Sequence, residues 1–225
     1  MIEFPMPEVT QGSDQNAILT IAEIIHRGFI VTHRDRGYVM RVDGNARSDD
    51  LGEAESKANL MFAHVLGVLR AFKHGRGELA EEITRSPARD EHGNQFIRVG
   101  TAQAYMMLPG ELETFAHRAV VGLGSSLTFT EALGLFGRPN RGGADYYSIY
   151  EYAHTEFGAR SGITQFLKLS NERQVEFTKS VNHLRPAEGG RHASGNPEIA
   201  SMSLDDISVF ATDLMSAWIS TFESE

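Results

Sequence analysis

The chain has 225 residues, a length that can bury a core as one domain, 1–225, without disulfides or structural metals. Its 41% hydrophobic and 23% charged residues argue against long disorder, and the lack of cysteine excludes disulfides, thiolate metal sites and cysteine nucleophiles. A net charge of −9 opposes general attraction to nucleic acid or anionic lipid, and no apolar run reaches the ~20 residues of a membrane span, so we expect a cytoplasmic protein with no membrane partner.

The first third of the chain is predicted to hold two helices separated by a β-hairpin. Apolar residues at three- and four-residue steps follow Asp14, which can cap a helix that ends near His26. β-Branched and aromatic runs on both sides of a short polar turn predict a hairpin at 29–42. The strongest helical periodicity extends from about 49 to 74 and predicts a long amphipathic helix.

The middle of the chain has a less uniform pattern. Residues 78–85 favour a short helix, whereas 95–108 carry features of both a strand and a helix, and both interpretations stay open. Helices are expected at 111–122 and 129–136, where glycines and turn residues bound the periodic stretches.

A loop and a Tyr-rich helix come next. The loop at 137–143 contains proline and glycine, and it should bring Arg138 and Arg141 close to the start of the following helix. That helix is expected at 144–157, where Gly158 would end it.

The last part of the chain predicts a second hairpin and a final helix. Apolar runs on both sides of a polar turn indicate a hairpin at 163–179, and a polar loop at about 181–202 follows it. Ser203 and Asp206 have the spacing of a capping box for a last amphipathic helix. Together these patterns predict a mainly α-helical domain, a bundle of five to seven helices with one or two small β-hairpins.

The Tyr-rich helix carries the clearest candidate for a chemical site. Tyr147, Glu151 and His154 lie on one side of it at spacings of four and three residues, and Tyr150 lies one turn before His154. A carboxylate one turn from an imidazole can orient it for proton transfer, and a tyrosine hydroxyl can donate a proton or bind an anion. The same residues are equally typical of a polar helix face packed beneath a loop.

Metal binding is an alternative for the same helix. Glu151-x-x-His154 has the spacing that carboxylate-bridged di-iron bundles use, but such bundles need the motif twice. The chain has no second copy, because Glu113 and His117 are four residues apart. It also lacks the Gly-x-Ser-x-Gly elbow, the dinucleotide-binding fingerprint and the zinc motifs. We therefore expect neither a metal nor a cofactor.

Arg185 and His192 form a second constellation in the polar segment near the end of the chain. An Arg can stabilise phosphate charge while a His moves the 2′-hydroxyl proton, and such a pair can cleave RNA without a metal. An Arg followed by a His after four to six residues on a helical bundle resembles the signature of HEPN domains. That resemblance implies a metal-independent ribonuclease of a toxin or antiviral defence system.

A second resemblance to HEPN-related proteins covers the last third of the chain. Uncharacterised helical proteins of this group carry a Tyr-Arg-x-x-Ser-Glu-x-x-His helix, and Tyr146, Glu151 and His154 match it. Tyr147 occupies the position of the Arg, and Tyr150 occupies the position of the Ser. The pattern's Arg is the phosphate-binding half of its Arg and His pair, so another arginine would have to replace it.

The two resemblances differ in where they put the site. Arg185 and His192 lie in a Pro- and Gly-rich segment, whereas the HEPN motif lies on or beside a helix. The arginines that could replace the missing one in space are Arg138, Arg141 and Arg185.

Both resemblances imply a HEPN-like protein that acts on or binds RNA, with His154 as acid/base and Glu151 as its orienting partner. From 138 to 192 the chain carries eight Lys or Arg against six Asp or Glu, a locally basic stretch. The candidate catalytic residues are His154, Glu151, Arg185 and His192. The candidate binding residues are Tyr146, Tyr147, Tyr150, Arg138, Arg141 and His183. The alternative is a non-catalytic helical module that forms a homodimer or binds a protein partner.

Overall fold

The computed structural model describes residues 2–5, 12–26, 31–34, 37–42, 51–74, 110–184 and 200–223. The helices in these ranges are α1 (Gly12–Ile25), α2 (Leu51–His74), α3 (Glu111–Ser125), α4 (Leu127–Gly137), α5 (Gly143–Phe157), α6 (Ala159–Leu167), α7 (Asn171–His183) and α8 (Leu204–Thr221). The strands are β1 (Ile2–Pro5), β2 (Val31–Arg34) and β3 (Gly37–Val42). The mainly helical fold class is confirmed, but the described ranges hold eight helices where five to seven were expected.

The three short strands form an antiparallel sheet in the order β1-β3-β2. Ile2 pairs with Val42 across β1 and β3, and Arg34 pairs with Gly37 across β2 and β3. The range 29–42, where the first hairpin was expected, contains β2 and β3. The structure describes only the backbone of these two strands. The sheet lies beside α2.

Helix α2 packs against α1, α4 and α8 and supplies a large part of the core. Every residue from 62 to 72 is buried, as expected for a helix covered on all sides by neighbours. Burial of a large apolar side chain contributes about 1.5–3 kcal/mol, so this one segment contributes strongly to the stability of the core.

Helix α8 confirms the predicted last helix and its capping box. Ser203 Oγ accepts a hydrogen bond from the backbone N–H of Asp206 at 3.1 Å, and the Asp206 carboxylate accepts one from the backbone N–H of Ser203 at 2.9 Å. Trp218 on the apolar face is fully buried, and its ring packs edge-on against Phe129 and Phe157 at centroid distances of 5.4 Å. These contacts join α8 to α4 and α5.

Two arginines hold the C-terminus of α4. Arg70 on α2 is buried, and its Nη1 donates to three consecutive carbonyl oxygens, those of residues 136–138, at 3.0, 2.7 and 3.0 Å. Arg141 Nη1 donates to the first and last of the same three oxygens, at 2.8 and 2.7 Å. The last carbonyls of a helix lack partners within it and carry partial negative charge, so cations stabilise this end. Gly137 permits the close approach, because a β-carbon there would lie 1.6 Å from a backbone oxygen of α2.

The second predicted hairpin, 163–179, is wrong, because this stretch lies in α6 and α7. Ser170 separates the two helices and caps α7, since its Oγ accepts the backbone N–H of Arg173 at 3.2 Å. The buried apolar residues of both helices recur at helical spacing, as in Ile163, Leu167, Phe177 and Val181. Short apolar runs are compatible with a strand or a buried helix, and here the helix forms.

Some expected segments lie outside the described residues. They are the short helix at 78–85, the ambiguous stretch at 95–108 and most of the polar loop at 181–202, whose first residues belong to α7. Among the helices that the structure describes, none is long and apolar enough to cross a membrane.

Candidate functional site

One face of α5 lines an open cleft. Tyr147, Tyr150, Glu151 and His154 all contribute to its wall, at steps of three, one and three residues along the helix. The helix ends where Gly158 adopts a left-handed conformation with φ 69°, which confirms the predicted stop. The Tyr/Glu/His face therefore points into a cleft.

The opposite wall comes from α7, with one residue from α6. The cleft has a volume of about 590 Å³, within the range of about 300–1,000 Å³ that is usual for sites of small ligands. The α7 residues that line it recur at helical spacing, and they are Val175, Thr178, Lys179, Asn182 and His183. Arg160 enters from the first turn of α6. The cleft thus brings His154 and His183 to one place.

A hydrogen-bonded network joins Tyr150 to Arg160 across the cleft floor. The buried Tyr150 hydroxyl donates to Gln174 Oε1 at 3.1 Å and accepts from Arg160 Nε at 3.3 Å. Arg160 Nη2 donates in turn to Thr178 Oγ1 at 3.1 Å. Burial raises the pKa of the Tyr150 phenol, and the nearby guanidinium opposes that rise. Tyr150 is therefore a neutral positioning group for Arg160 at pH 7.

Gln174 fixes this network from within the core. It is fully buried, and its Nε2 donates to the carbonyl oxygens of Arg160 and Leu169, at 3.2 and 3.0 Å. The same nitrogen donates to Thr164 Oγ1 at 2.9 Å. One amide side chain of α7 thereby holds the start of α6, its middle and the connection that follows it.

The charges lining the cleft favour an anion. Arg160 and Lys179 carry two positive charges, and Glu151 carries the one carboxylate among the lining residues. Neither cation forms an ion pair with a described carboxylate. The cleft is thus locally basic on a chain whose net charge is −9.

His154 differs from its expected environment. Its ring is exposed and lies 6.1 Å from the Tyr150 ring, measured between centroids. Glu151 makes no hydrogen bond or ion pair with His154, because both side chains are exposed to solvent. The expected orienting contact between them is therefore absent. An exposed imidazole in a basic cleft can still accept or donate a proton.

Three of the predicted binding residues lie away from the cleft. Tyr146 is buried, and its hydroxyl donates to Ser208 Oγ at 3.0 Å and accepts from Arg141 Nε at 3.2 Å. Arg141 also lies over the Tyr146 ring, at 5.6 Å from its centroid, which confirms that the 137–143 loop brings it to the start of α5. Arg138 is exposed in the same loop. These residues join the loop to α5 and α8 and do not line the cleft.

The two remaining candidates, Arg185 and His192, lie outside the described residues. Sequence reasoning did not identify Arg160, Lys179 or Asn182 as candidates. Lys179 and Asn182 lie on α7, in a stretch that was interpreted as a hairpin and a loop, so their common helical face was not recognised. A signal was present, since Val175, Lys179 and Asn182 follow the four- and three-residue steps of a helix face.

Among the residues that the structure describes, no group of three His, Asp or Glu side chains is arranged to hold a metal ion. Comparisons of the chain with protein-family models, with curated proteins and with solved structures gave no match.

Proposed function

We propose that the cleft between α5, α6 and α7 binds RNA and that His154 transfers a proton in its metal-independent cleavage. One observation carries the proposal: two histidines, His154 and His183, line the same cleft as two cations, Arg160 and Lys179. Cations attract a phosphate backbone, and a histidine side chain can take a proton from a ribose hydroxyl or give one to a leaving oxygen. A HEPN-like relationship, with a defence or toxin role, is part of this proposal.

The proposed reaction needs one base and one acid. The 2′-hydroxyl oxygen of RNA attacks the adjacent phosphorus while a base takes the hydroxyl proton. The bond from phosphorus to the 5′ oxygen breaks, and an acid gives that oxygen a proton, which leaves a 2′,3′-cyclic phosphate and a 5′-hydroxyl. We assign proton abstraction to His154 and proton donation to His183, because both imidazoles line one cleft.

Other residues would bind the substrate. Tyr147 lines the cleft and offers an aromatic face on which a base can stack, a contact that tolerates any base sequence. Arg185 and His192 are proposed as auxiliary groups on the phosphate side, following the HEPN resemblance. Single-stranded RNA is the expected substrate, because its bases are free to stack.

The test is cleavage of single-stranded RNA in the presence of a chelator. His154→Ala should reduce the rate about 100-fold or more, which is the usual contribution of a general acid or base. His117→Ala is the matched control, because His117 is also an exposed helical histidine but lies on α3. Absence of chelator-resistant cleavage by the wild type, or equal rates in the two variants, would contradict the proposal.

A second candidate is the non-catalytic module that forms a homodimer or binds a protein. It is favoured by two large apolar side chains in open positions, Leu127 at 77% exposure and Phe166 at 54%. Sedimentation of the wild type and of Phe166→Ser would test it. A concentration-dependent dimer that the variant loses supports this function, and a wild-type monomer at about 100 μM speaks against self-association of ordinary strength.

A further inference from the structure

We infer that Arg160 is the phosphate-binding residue of the cleft and that, with Lys179, it clamps one phosphate group of a ribonucleotide. As an account of how RNA is held, this inference rests on the proposed function. As an oxyanion site it can be tested without RNA. Nothing in the sequence pattern marks Arg160, since the resembled motif would have its arginine at the position of Tyr147.

The guanidinium of Arg160 is held in one orientation. Its Nε–H bonds to the Tyr150 hydroxyl at 3.3 Å and its Nη2 to Thr178 Oγ1 at 3.1 Å, so two neighbouring donors of one edge are occupied. A guanidinium has five N–H donors, and the end formed by Nη1 and the second Nη2 hydrogen keeps three of them. That end can donate two parallel hydrogen bonds to a phosphate, the bidentate geometry that favours Arg over Lys.

The charge of Arg160 is not neutralised within the described residues. It forms no ion pair with a described carboxylate, and Tyr150 and Thr178 are neutral hydroxyl partners. Lys179 follows Thr178 on α7 and lines the same cleft, also without a described ionic partner. The two cations outnumber the single carboxylate of the lining, that of Glu151, and neither forms an ion pair with it, so the cleft can accept an oxyanion.

Neighbouring groups suit the ester part of the ligand. The side-chain amide of Asn182 makes no hydrogen bond to the described residues, and its Oδ1 is buried although Asn182 lines the cleft. A buried acceptor without a partner carries a desolvation cost that a ligand hydroxyl or amino group can remove. Tyr147 adds an aromatic face in the same cleft. A ribonucleotide offers the phosphate, a hydroxyl and a base together.

Titration of inorganic phosphate into the whole chain, followed by calorimetry, tests the oxyanion site directly. Two further arms distinguish the source of the phosphate: a mononucleotide with a terminal phosphate, and a short RNA with internal phosphodiesters only. We expect Arg160→Gln to weaken phosphate binding about tenfold or more, since hydrogen bonds to charged groups are strong. Lys168→Gln is the matched control, because Lys168 lies just after α6 but does not line the cleft, and it should change affinity less than about twofold.

Two more variants keep the test independent of folding. Arg160→Lys retains the charge but not the fork, so it should lose affinity severalfold while the circular dichroism spectrum stays that of the wild type. Tyr150→Phe removes the hydroxyl that orients the guanidinium, and we expect it to weaken phosphate binding less than Arg160→Lys does. Because Tyr150 acts through Arg160, the double variant should bind phosphate no more weakly than Arg160→Lys alone. Equal phosphate affinity in the wild type and both Arg160 variants overturns the inference.

The outcomes separate this inference from the proposed function. Phosphate binding that depends on Arg160, with no RNA bound or cleaved, supports the oxyanion site and contradicts the RNA function. RNA cleavage that depends on His154 but not on Arg160 supports the RNA function and overturns the assignment of Arg160. A wild type that shows no saturable phosphate binding up to about 10 mM also overturns it.

Discussion

Gln174 makes four hydrogen bonds from a fully buried side chain, and these bonds determine where Arg160 lies. Its amide accepts from Tyr150 and donates to two backbone carbonyls and to Thr164, so every polar atom of the side chain has a partner. A fully satisfied buried network of this kind defines one arrangement of its members, whereas a partly satisfied one is costly. We therefore assign Gln174 a positioning role behind the cleft.

Gln174→Met is predicted to lower the free energy of unfolding by about 3 kcal/mol, because it keeps the volume but leaves buried polar partners without hydrogen bonds. Urea denaturation measures the loss. Gln165→Met on α6 is the control, since Gln165 is exposed, and it should stay within about 0.5 kcal/mol of the wild type. Equal stability of the two variants would show that the network of Gln174 contributes nothing.

The sequence predicts the α5 side of the site but not its partner residues. Tyr147, Glu151 and His154 follow a helical step, so their common face can be deduced from the spacing of the residues alone. Arg160 cannot be found in this way, because its role depends on hydrogen bonds to Tyr150 and Thr178, which are distant in sequence. Periodicity predicts which side chains share a helix face. Hydrogen bonds between residues distant in sequence determine which side chains have a fixed orientation, and periodicity does not reveal these bonds.

The C-terminus of α4 depends on a cation from another helix. Arg70 donates to three successive carbonyl oxygens that the helix itself leaves without partners. Arg70→Lys should destabilise the protein by about 1–3 kcal/mol, because an ammonium on a flexible stem reproduces the position and donors of the guanidinium poorly.

Arg138→Lys is the matched control for Arg70→Lys. The side chain of Arg138 is exposed, and only its backbone oxygen takes part in the contact, so thermal unfolding of this variant should match the wild type. A larger loss for Arg138→Lys than for Arg70→Lys would mean that the side chain of the loop, and not that of α2, holds the helix end.

Element type was predictable where the apolar pattern was long and well bounded. Helix α5 has a turn-rich loop before it and Gly158 after it, and α8 has a capping box, so both agree with expectation. Helices α6 and α7 are short, and their β-branched residues, such as Ile163 and Val175, have strand propensity in isolation. Their helical state depends on burial of one face against α5 and α8, which local sequence does not encode.

Across the molecule, a half-buried histidine and a buried one link the helices of the N-terminal part. His26, just after α1, and His64 on α2 stack with ring centroids 5.9 Å apart. His64 is 5% exposed, and its burial, together with the charge of His26, lowers its pKa to about 4. The backbone at Thr130 opposes this shift, but neither ring nitrogen makes a hydrogen bond of normal geometry. Burial also lowers the pKa of His26.

These lowered pKa values predict a loss of stability in mild acid. Above about pH 6.5 both histidines are neutral whether the chain is folded or not, so they impose no pH dependence. Between pH 6.5 and pH 4, His64 is protonated in the unfolded chain but stays neutral in the folded one. The free energy of unfolding therefore falls with pH over this interval, by up to about 3 kcal/mol for His64. Below pH 4 His64 is protonated in the folded chain as well, so it no longer contributes to the change of unfolding free energy with pH.

Urea denaturation between about pH 7 and pH 4.5 tests this prediction with one variant and one control. His64→Leu removes the buried titrating group and should flatten the fall in unfolding free energy over that interval, because Leu can fill the apolar site at any pH. His117→Gln, at an exposed position on α3, should keep the wild-type slope. Parallel pH profiles for the wild type and His64→Leu would mean that His64 takes up its proton as readily folded as unfolded, and that carboxylates alone cause any acid sensitivity.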